Sequence, residues 1–347
     1  MVKVSVLIPC YNAARYVSQA IDSILAQSFA DFELVIVDDG SKDASIEAIT
    51  RYTDTRIRLV RHGINKGVAE ARNTAMKHAK GAYLAFLDAD DTSSPDRLEK
   101  QVRFLDEHAD VDVVGSFGRT MGKLKVWKCP LSHGEILGAS FFKFPIWTSV
   151  LMFRKNILDR IPIRIDPSFL TAEDQDFIDQ LLGGGCILAN IPRVLFDRRL
   201  HDSNTSLKFS DLADKLTTII RKRAVLRWLP NCSEQELELH CEIARRSLAL
   251  SSKDAPAVAS WLYTLHTQAV ERAVPQPDKF LRAMAAQWDH VCARFVSEGF
   301  GIAAKTYFSQ PKLVKAAGLS GQAAFLARCF KLKRKLKKSA LGNHAPG

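Results

Sequence analysis

The chain has 347 residues, 47% hydrophobic and 25% charged, with 18 Gly and 13 Pro, which is the make-up of an ordinary folded protein with room for one large or two modest domains. Collagen-like, low-complexity and disulfide-scaffold classes are excluded, and seven scattered cysteines without a Cys-x-x-Cys pair predict reduced thiols in a cytoplasmic compartment. The net charge of +11 is not a nucleic-acid signal once divided: residues 301–347 hold ten Lys/Arg and no Asp or Glu, leaving 39 basic and 38 acidic residues before them.

The opening MVKVSVLIP reads as a strand after a single Lys, not as a signal peptide. Short β-branched runs at 4–8 and 33–39 flank a segment in which Val17, Ala20, Ile21, Ile24 and Leu25 recur at helical spacing, so a parallel βαβ unit buried on both faces is expected. The alternation continues with a strand near 57–60, a helix over 68–78, a strand at 82–88, a helix over 95–107 and a strand at 111–115. This predicts an α/β open sheet, mixed but mostly parallel and flanked by helices, with ligands at the carboxyl ends of its strands. The apolar stretch 136–153 is broken by Lys143 and Pro145 and reads as buried strand and loop rather than a membrane span. Strands are expected at 149–153, 187–190 and 194–199, with a helix over 173–182. From about 210 the chain reads as successive amphipathic helices. The domain reading is therefore a catalytic body over 1–208, divided at 120, a helical region over 209–330 and a basic tail over 331–347.

No G-x-G-x-x-G after a strand, P-loop, H-E-x-x-H or nucleophile elbow is present. Carboxylates gathered at strand ends stand out instead: Asp38-Asp39-Gly40-Ser41 closes the second strand, and Asp88-Ala89-Asp90-Asp91 closes a later one. Packed carboxylates repel one another, and a divalent cation relieves that repulsion. Oxygen-only ligands suit Mg²⁺ or Mn²⁺ shared with a phosphate, while solvated Asp-rich turns are the plainer explanation of either cluster alone.

Residues 5–45, SVLIPCYNAARYVSQAIDSILAQSFADFELVIVDDGSKDAS, and the later NKGVAEARNTAMKHAKGAYLAFLDADD resemble the nucleotide-sugar-binding half of the family 2 inverting glycosyltransferases, enzymes of bacterial cell-surface polysaccharide and glycolipid synthesis with the GT-A fold. The resemblance covers about 1–120 closely and continues more loosely to about 206 through TSVLMFRKNIL, Ala172-Glu173-Asp174-Gln175-Asp176 and RRLHDSNTS. It implies that Pro9, Tyr11 and Asn12 line the nucleoside, with Asp39 facing the base and Asp38 beside it. It implies that Asn65, Gly67 and Arg72 close over the nucleotide, and that Asp88, Ala89 and Asp90 form the Asp-x-Asp element holding ribose and metal-diphosphate, with Asp91 assisting. Glu173-Asp174 matches the family's Glu-Asp pair, whose Asp is the general base, and His201 reads either as the late metal or diphosphate ligand of some GT-A enzymes or as a surface or packing residue.

Inverting transfer itself needs a base for the acceptor hydroxyl and a cation for the departing diphosphate. Read from the residues alone, Glu173 or Asp176 serves as the base as well as Asp174, and all three also fit as helix-start charges. Trp147 is either an acceptor-stacking or a core residue. In the tail, Phe325, Cys329, Leu332 and Leu336 fall on one helical face among lysines. Residues 321–338 then read either as an interfacial helix on an anionic membrane, peripheral on its inner face, or as a solvated basic helix docked weakly on its own domain or frayed. The function expected is a Mn²⁺- or Mg²⁺-dependent transfer from a UDP-sugar to a saccharide or lipid-linked acceptor, with a homo-oligomer open and no nucleic acid as partner. A silent sugar-nucleotide-binding or membrane scaffold protein is the alternative, and nucleotidyl transfer lacks its Gly-rich basic loop.

Overall fold

A computed structural model describes residues 2–200, 210–245 and 250–342. The chain divides into two compact units, one of residues 1–131 and 144–220, the other of 132–143 and 221–347.

The first unit is built on a nine-stranded mixed sheet. Strands β1 (Val4–Cys10), β2 (Phe32–Asp38) and β3 (Ile57–Arg61) run parallel, and β4 (Tyr83–Phe86) joins β1 in the same sense. Every residue of β1, β2 and β4 is buried, as the near-continuous apolar runs require of a sheet covered on both faces. Helix α1 (Val17–Leu25) buries Val17, Ala20, Ile21 and Ile24, the face its spacing predicts. Helices α2 (Ser45–Thr50) and α3 (Val68–His78) follow β2 and β3. After β4 come β5 (Thr92–Ser93), α4 (Arg97–Glu107), β6 (Val113–Thr120) and β7 (Val126–Trp127).

The second half differs from the sequence reading in two places. The stretch 136–153 begins inside helix α5 (His133–Ser140), which is started by a Ser132/Glu135 capping box and belongs to the second unit. A single 3-10 turn at Thr148–Val150 then leads into β8 (Met152–Arg154). The two strands expected at 187–190 and 194–199 are one, β9 (Leu188–Arg198), parallel to β6 with register shifts after Ser116. Pro192 has no N–H to give to a ladder, so Pro192 and Arg193 bulge to the surface and pairing resumes at Val194. Between β8 and β9 lie α6 (Ile157–Arg160) and α7 (Glu173–Gly183). The antiparallel β4–β8 and β6–β8 pairings join the two halves of the sheet.

The second unit is helical. It takes in α5, the end of α8 (Ser210–Trp228), then α9 (Glu234–Ala244), α10 (Ala255–Glu271), α11 (Pro277–Arg294), α12 (Phe300–Phe308) and α13 (Pro311–Gly342), which kinks at Gly318. Its core is aromatic: Trp228 stacks on Phe280 at 5.5 Å, and Tyr307 on Phe325 at 3.9 Å. Phe325 and Cys329 of the expected amphipathic tail are thus buried, Leu332 is half-buried, and only Leu336 of that face is exposed. No helix among the described residues is long and apolar enough to cross a membrane.

Candidate active site

The loops that leave β1, β2, β3 and β4 meet at one edge of the sheet. Asn12, past the end of β1, takes a left-handed φ of 48°, which asparagine tolerates. Its Oδ1 accepts from the Lys42 backbone N–H at 2.8 Å, and its own N–H donates to Ser41 Oγ at 2.9 Å, tying the β1 and β2 exits together. Gly40 (φ 71°) is required here, because a Cβ would lie 2.7 Å from the Ile64 carbonyl carbon. Asp39, 2% exposed, accepts from the backbone N–H groups of Lys66 (2.9 Å) and Gly67 (2.8 Å), and His62 Nδ1 meets it at 2.7 Å while Nε2 reaches Thr74 Oγ1 at 3.0 Å. The carboxylate expected to face the base therefore also fixes the 62–67 loop. Asp38 turns inward, accepts from the Ser41 N–H at 3.2 Å, and is not in the cleft wall.

At the end of β4, Asp88, Asp90 and Asp91 each present a carboxylate oxygen within 4.8 Å of the others. Asp88 accepts from Arg72 Nη2 at 2.7 Å and from Ser149 Oγ at 2.5 Å, and these partners outweigh burial and hold its carboxyl below the usual range. Burial, then the charges of Asp88 and Asp90, push Asp91 well above that range, although the Arg199 N–H donates to it at 2.9 Å. Such mutual repulsion among oxygen-only donors is what a hard divalent cation relieves, so the residues fit Mg²⁺ or Mn²⁺. His201 lies outside the described residues.

Across the cleft, Glu173 and Asp174 begin α7. Arg72, buried in α3, spans to Glu173 at 3.4 Å as well as to Asp88; burial works against its charge, but these two carboxylates raise its pKa further. That long contact does not win at Glu173: burial and then the adjacent Asp174 push it up to about 8. Burial also raises Asp174, with Arg72 opposing. Both adjacent carboxyls therefore hold a proton more tightly than free carboxylates do. Asp176 is fully buried, accepts from Gln180 Nε2 at 2.5 Å, and does not line the cleft.

The resulting cleft of about 810 Å³ is lined by Pro9, Tyr11, Asn12 and Asp39 on one side, by Asn65, Gly67 and Arg72 above, and by Asp88, Ala89, Asp90, Glu173 and Asp174 at its chemical end. Sequence reasoning did not single out Tyr16, Leu170, Thr171, Arg198 or Leu212, which also line it. Arg198 lay within the quoted RRLHDSNTS, and its strand-end position after an apolar run was the available signal. Trp147 is not in the wall; it stacks on Trp127 at 5.0 Å.

An open α/β sheet whose strand exits gather carboxylates around such a cleft defines a transferase of the GT-A class. Residues 5–181 match Glycosyl transferase family 2, and the chain belongs to that family. It is 28% identical over 240 residues to an uncharacterised glycosyltransferase of Haemophilus influenzae, covering 65% of this chain and 74% of that protein. It is 41% identical over 102 residues to the Escherichia coli UDP-Glc:alpha-D-GlcNAc-diphosphoundecaprenol beta-1,3-glucosyltransferase WfgD, covering 29% of this chain but only 40% of WfgD. Among solved structures, S. aureus TarS 1-349 in complex with UDP-GlcNAc shares the fold with a TM-score of 0.58 at 19% identity, over 89% of this chain and 92% of that one. The protein is a glycosyltransferase enzyme.

Proposed function

We propose that the protein moves a sugar from a UDP-sugar to a hydroxyl of a saccharide or lipid-linked acceptor in cell-surface glycan synthesis, with inversion, with Asp174 as base and with a divalent cation. The observation that carries this reading is the convergence of three carboxylate groups on one cleft: Asp39 at the nucleoside end, Asp88 with Asp90 and Asp91 in the middle, and Glu173 with Asp174 opposite. The UDP-GlcNAc bound to TarS and the diphosphoundecaprenol-linked acceptor in the name of WfgD support the donor and acceptor classes.

Asp39 accepts from the N–H edge of the base, and Pro9, Tyr11 and Asn12 border the nucleoside. Asp90 and Asp88, with Asp91, would hold Mn²⁺ or Mg²⁺, which when bound neutralises charge on the departing diphosphate. Arg72 fixes Asp88 and Glu173 relative to each other. As the acceptor oxygen bonds to the anomeric carbon and the bond to diphosphate breaks, the hydroxyl proton passes to Asp174. The remaining exposed part of the basic C-terminal helix would hold the enzyme at an anionic membrane beside its acceptor.

Thermal stabilisation and donor hydrolysis with UDP-, GDP- and TDP-sugars, with Mn²⁺ and with EDTA, test the donor and the metal. Asp174→Asn is expected to keep donor affinity within about threefold and to lower turnover at least 10²-fold, because a base acts on the acceptor in the transition state. Equal donor affinity in EDTA removes the metal assignment. Survival of turnover in Asp174→Asn with its loss in Glu173→Gln moves the base to Glu173.

A further inference from the structure

Beneath the acidic loop lies a guanidinium that, among the described residues, has no acidic hydrogen-bond partner. Arg97 opens α4 and is completely buried. Its Nη2 donates to the Phe86 carbonyl at 2.7 Å and more weakly to that of Leu151 at 3.5 Å, Nη1 to Ser93 Oγ at 3.0 Å, and Nε to Gln101 Oε1 at 2.9 Å. All of these acceptors are neutral, and a buried ion among neutral acceptors alone is costly unless its charge has a use.

Its location supplies one. Phe86 stands two residues before Asp88 and Ser93 two after Asp91, so the fork closes the base of the loop that carries the three carboxylates. Gln101, also fully buried, extends the clamp to the Val150 carbonyl at 2.7 Å, next to the Ser149 hydroxyl that donates to Asp88. Burial presses the Arg97 pKa down to about 9, and the charges that oppose this are Asp88 and Asp91.

We propose that Arg97 is a positioning residue and the permanent internal counter-charge of the Asp88–Asp91 loop: its fork fixes the loop ends, and its positive charge lets the carboxylates stand together while limiting how tightly they take up a divalent cation. This rests on the metal reading given above. It carries an unusual sign. A purely structural Arg97 would weaken cation binding when replaced, because the ligands would loosen. A counter-charge would strengthen it once the charge, but not the hydrogen bonding, is removed.

Mn²⁺ affinity of the full chain without donor, read from the electron paramagnetic resonance signal of the free ion, separates the two. Arg97→Gln removes the charge and keeps donors; Arg97→Lys keeps the charge. Both are expected to lower the melting temperature, and Arg97→Gln is expected to bind Mn²⁺ about tenfold more tightly than Arg97→Lys. Equal or weaker binding in Arg97→Gln overturns the proposal. Should that variant not fold, Ser93→Ala removes one loop-end acceptor with the charge in place; it is expected to leave Mn²⁺ affinity unchanged or weaker, and tightening would overturn the proposal. Wild type that takes up no Mn²⁺, with or without UDP, removes the metal reading itself and the charge-limiting role with it.

Discussion

His240 in the helical unit offers a stability prediction with a defined sign. Its ring is fully buried; Nδ1 lies 3.1 Å from Trp261 Nε1 and Nε2 lies 2.9 Å from the Phe141 carbonyl. An indole N–H only donates and a carbonyl only accepts, so the imidazole is held neutral with its proton on Nε2. A second proton on Nδ1 would face the indole N–H in a pocket walled by Phe141, Phe142 and Trp261. Burial first, with the charge of Arg221 adding to it and the Phe141 carbonyl opposing, pushes the pKa down to about 3. The unfolded chain binds this proton near pH 6.5 and the native chain does not, so stability is complete above about 6.5 and is lost as pH falls toward 3. At pH 5 the loss is about 2 kcal/mol relative to pH 7.5, since each unit of pH within the window is worth about 1.4 kcal/mol. Urea denaturation followed by tryptophan fluorescence at pH 7.5, 6.5, 5.5 and 5.0 measures it, with His240→Gln as reference because the amide retains a donor and an acceptor. Wild type should lose about 2 kcal/mol more than the variant over this range. Parallel curves would refute the argument, since every other titrating group is common to both proteins.

The legible part of this fold is the part whose burial is two-sided. VSVLIPC and FELVIVD are buried at every position, and a strand of that kind shows as an unbroken apolar run. The exit of β2 carries Asp39, and the exit of the equally buried β4 carries Asp88 and Asp90, into the cleft wall, because the strand determines where the chain emerges. Features that depend on the partner were not legible. The α5 segment is apolar on several sides, and what makes it a helix against α11 is close approach: a Cβ on Gly138 would lie 2.7 Å from the Ala283 Cβ, which no periodicity announces. Arg97 looks like the charged first turn of a surface helix, and its burial follows from carbonyls of Phe86 and Leu151 that arrive from elsewhere in the chain. Asp39 reads as a base-facing carboxylate, yet its donors on His62, Lys66 and Gly67 become neighbours only when β3 pairs with β2. In the tail, Phe325 and Cys329 share one helical face as their spacing predicts, and of the two coverings that spacing allows, packing on the chain's own helices is the one Phe325 has, under Tyr307.

Gly40→Ala should destabilise the protein by about 2 kcal/mol or more and weaken UDP binding in parallel, because a left-handed φ of 71° and a 2.7 Å approach to the Ile64 backbone leave no room for a methyl group; calorimetric Tm and UDP titration read the two effects, and an unchanged Tm contradicts the packing argument. The last prediction concerns the tail, where the structure changes which experiment is informative. Truncation after residue 320 would remove Phe325 and Cys329 from the core of the helical unit, so lost vesicle binding would report unfolding as readily as a lost contact. The surface left open carries Phe330 (56% exposed) and Leu336 (43% exposed) among Lys331, Lys333, Arg334 and Lys335, and it contains no acidic group. Each basic residue near an anionic bilayer contributes about 1 kcal/mol, screened by salt. Reversing three of them, Lys331→Glu, Arg334→Glu and Lys335→Glu, should therefore lower partitioning to phosphatidylglycerol vesicles by at least about 10²-fold at low salt. It should leave the melting temperature within about 2 °C, since these side chains are exposed and surface substitutions cost little. Phe330→Ser should weaken binding at high salt as well, because the apolar contribution is not screened. Co-sedimentation of the triple variant equal to wild type, with both proteins folded, leaves the tail as a solvated basic helix and removes the membrane from the proposed function.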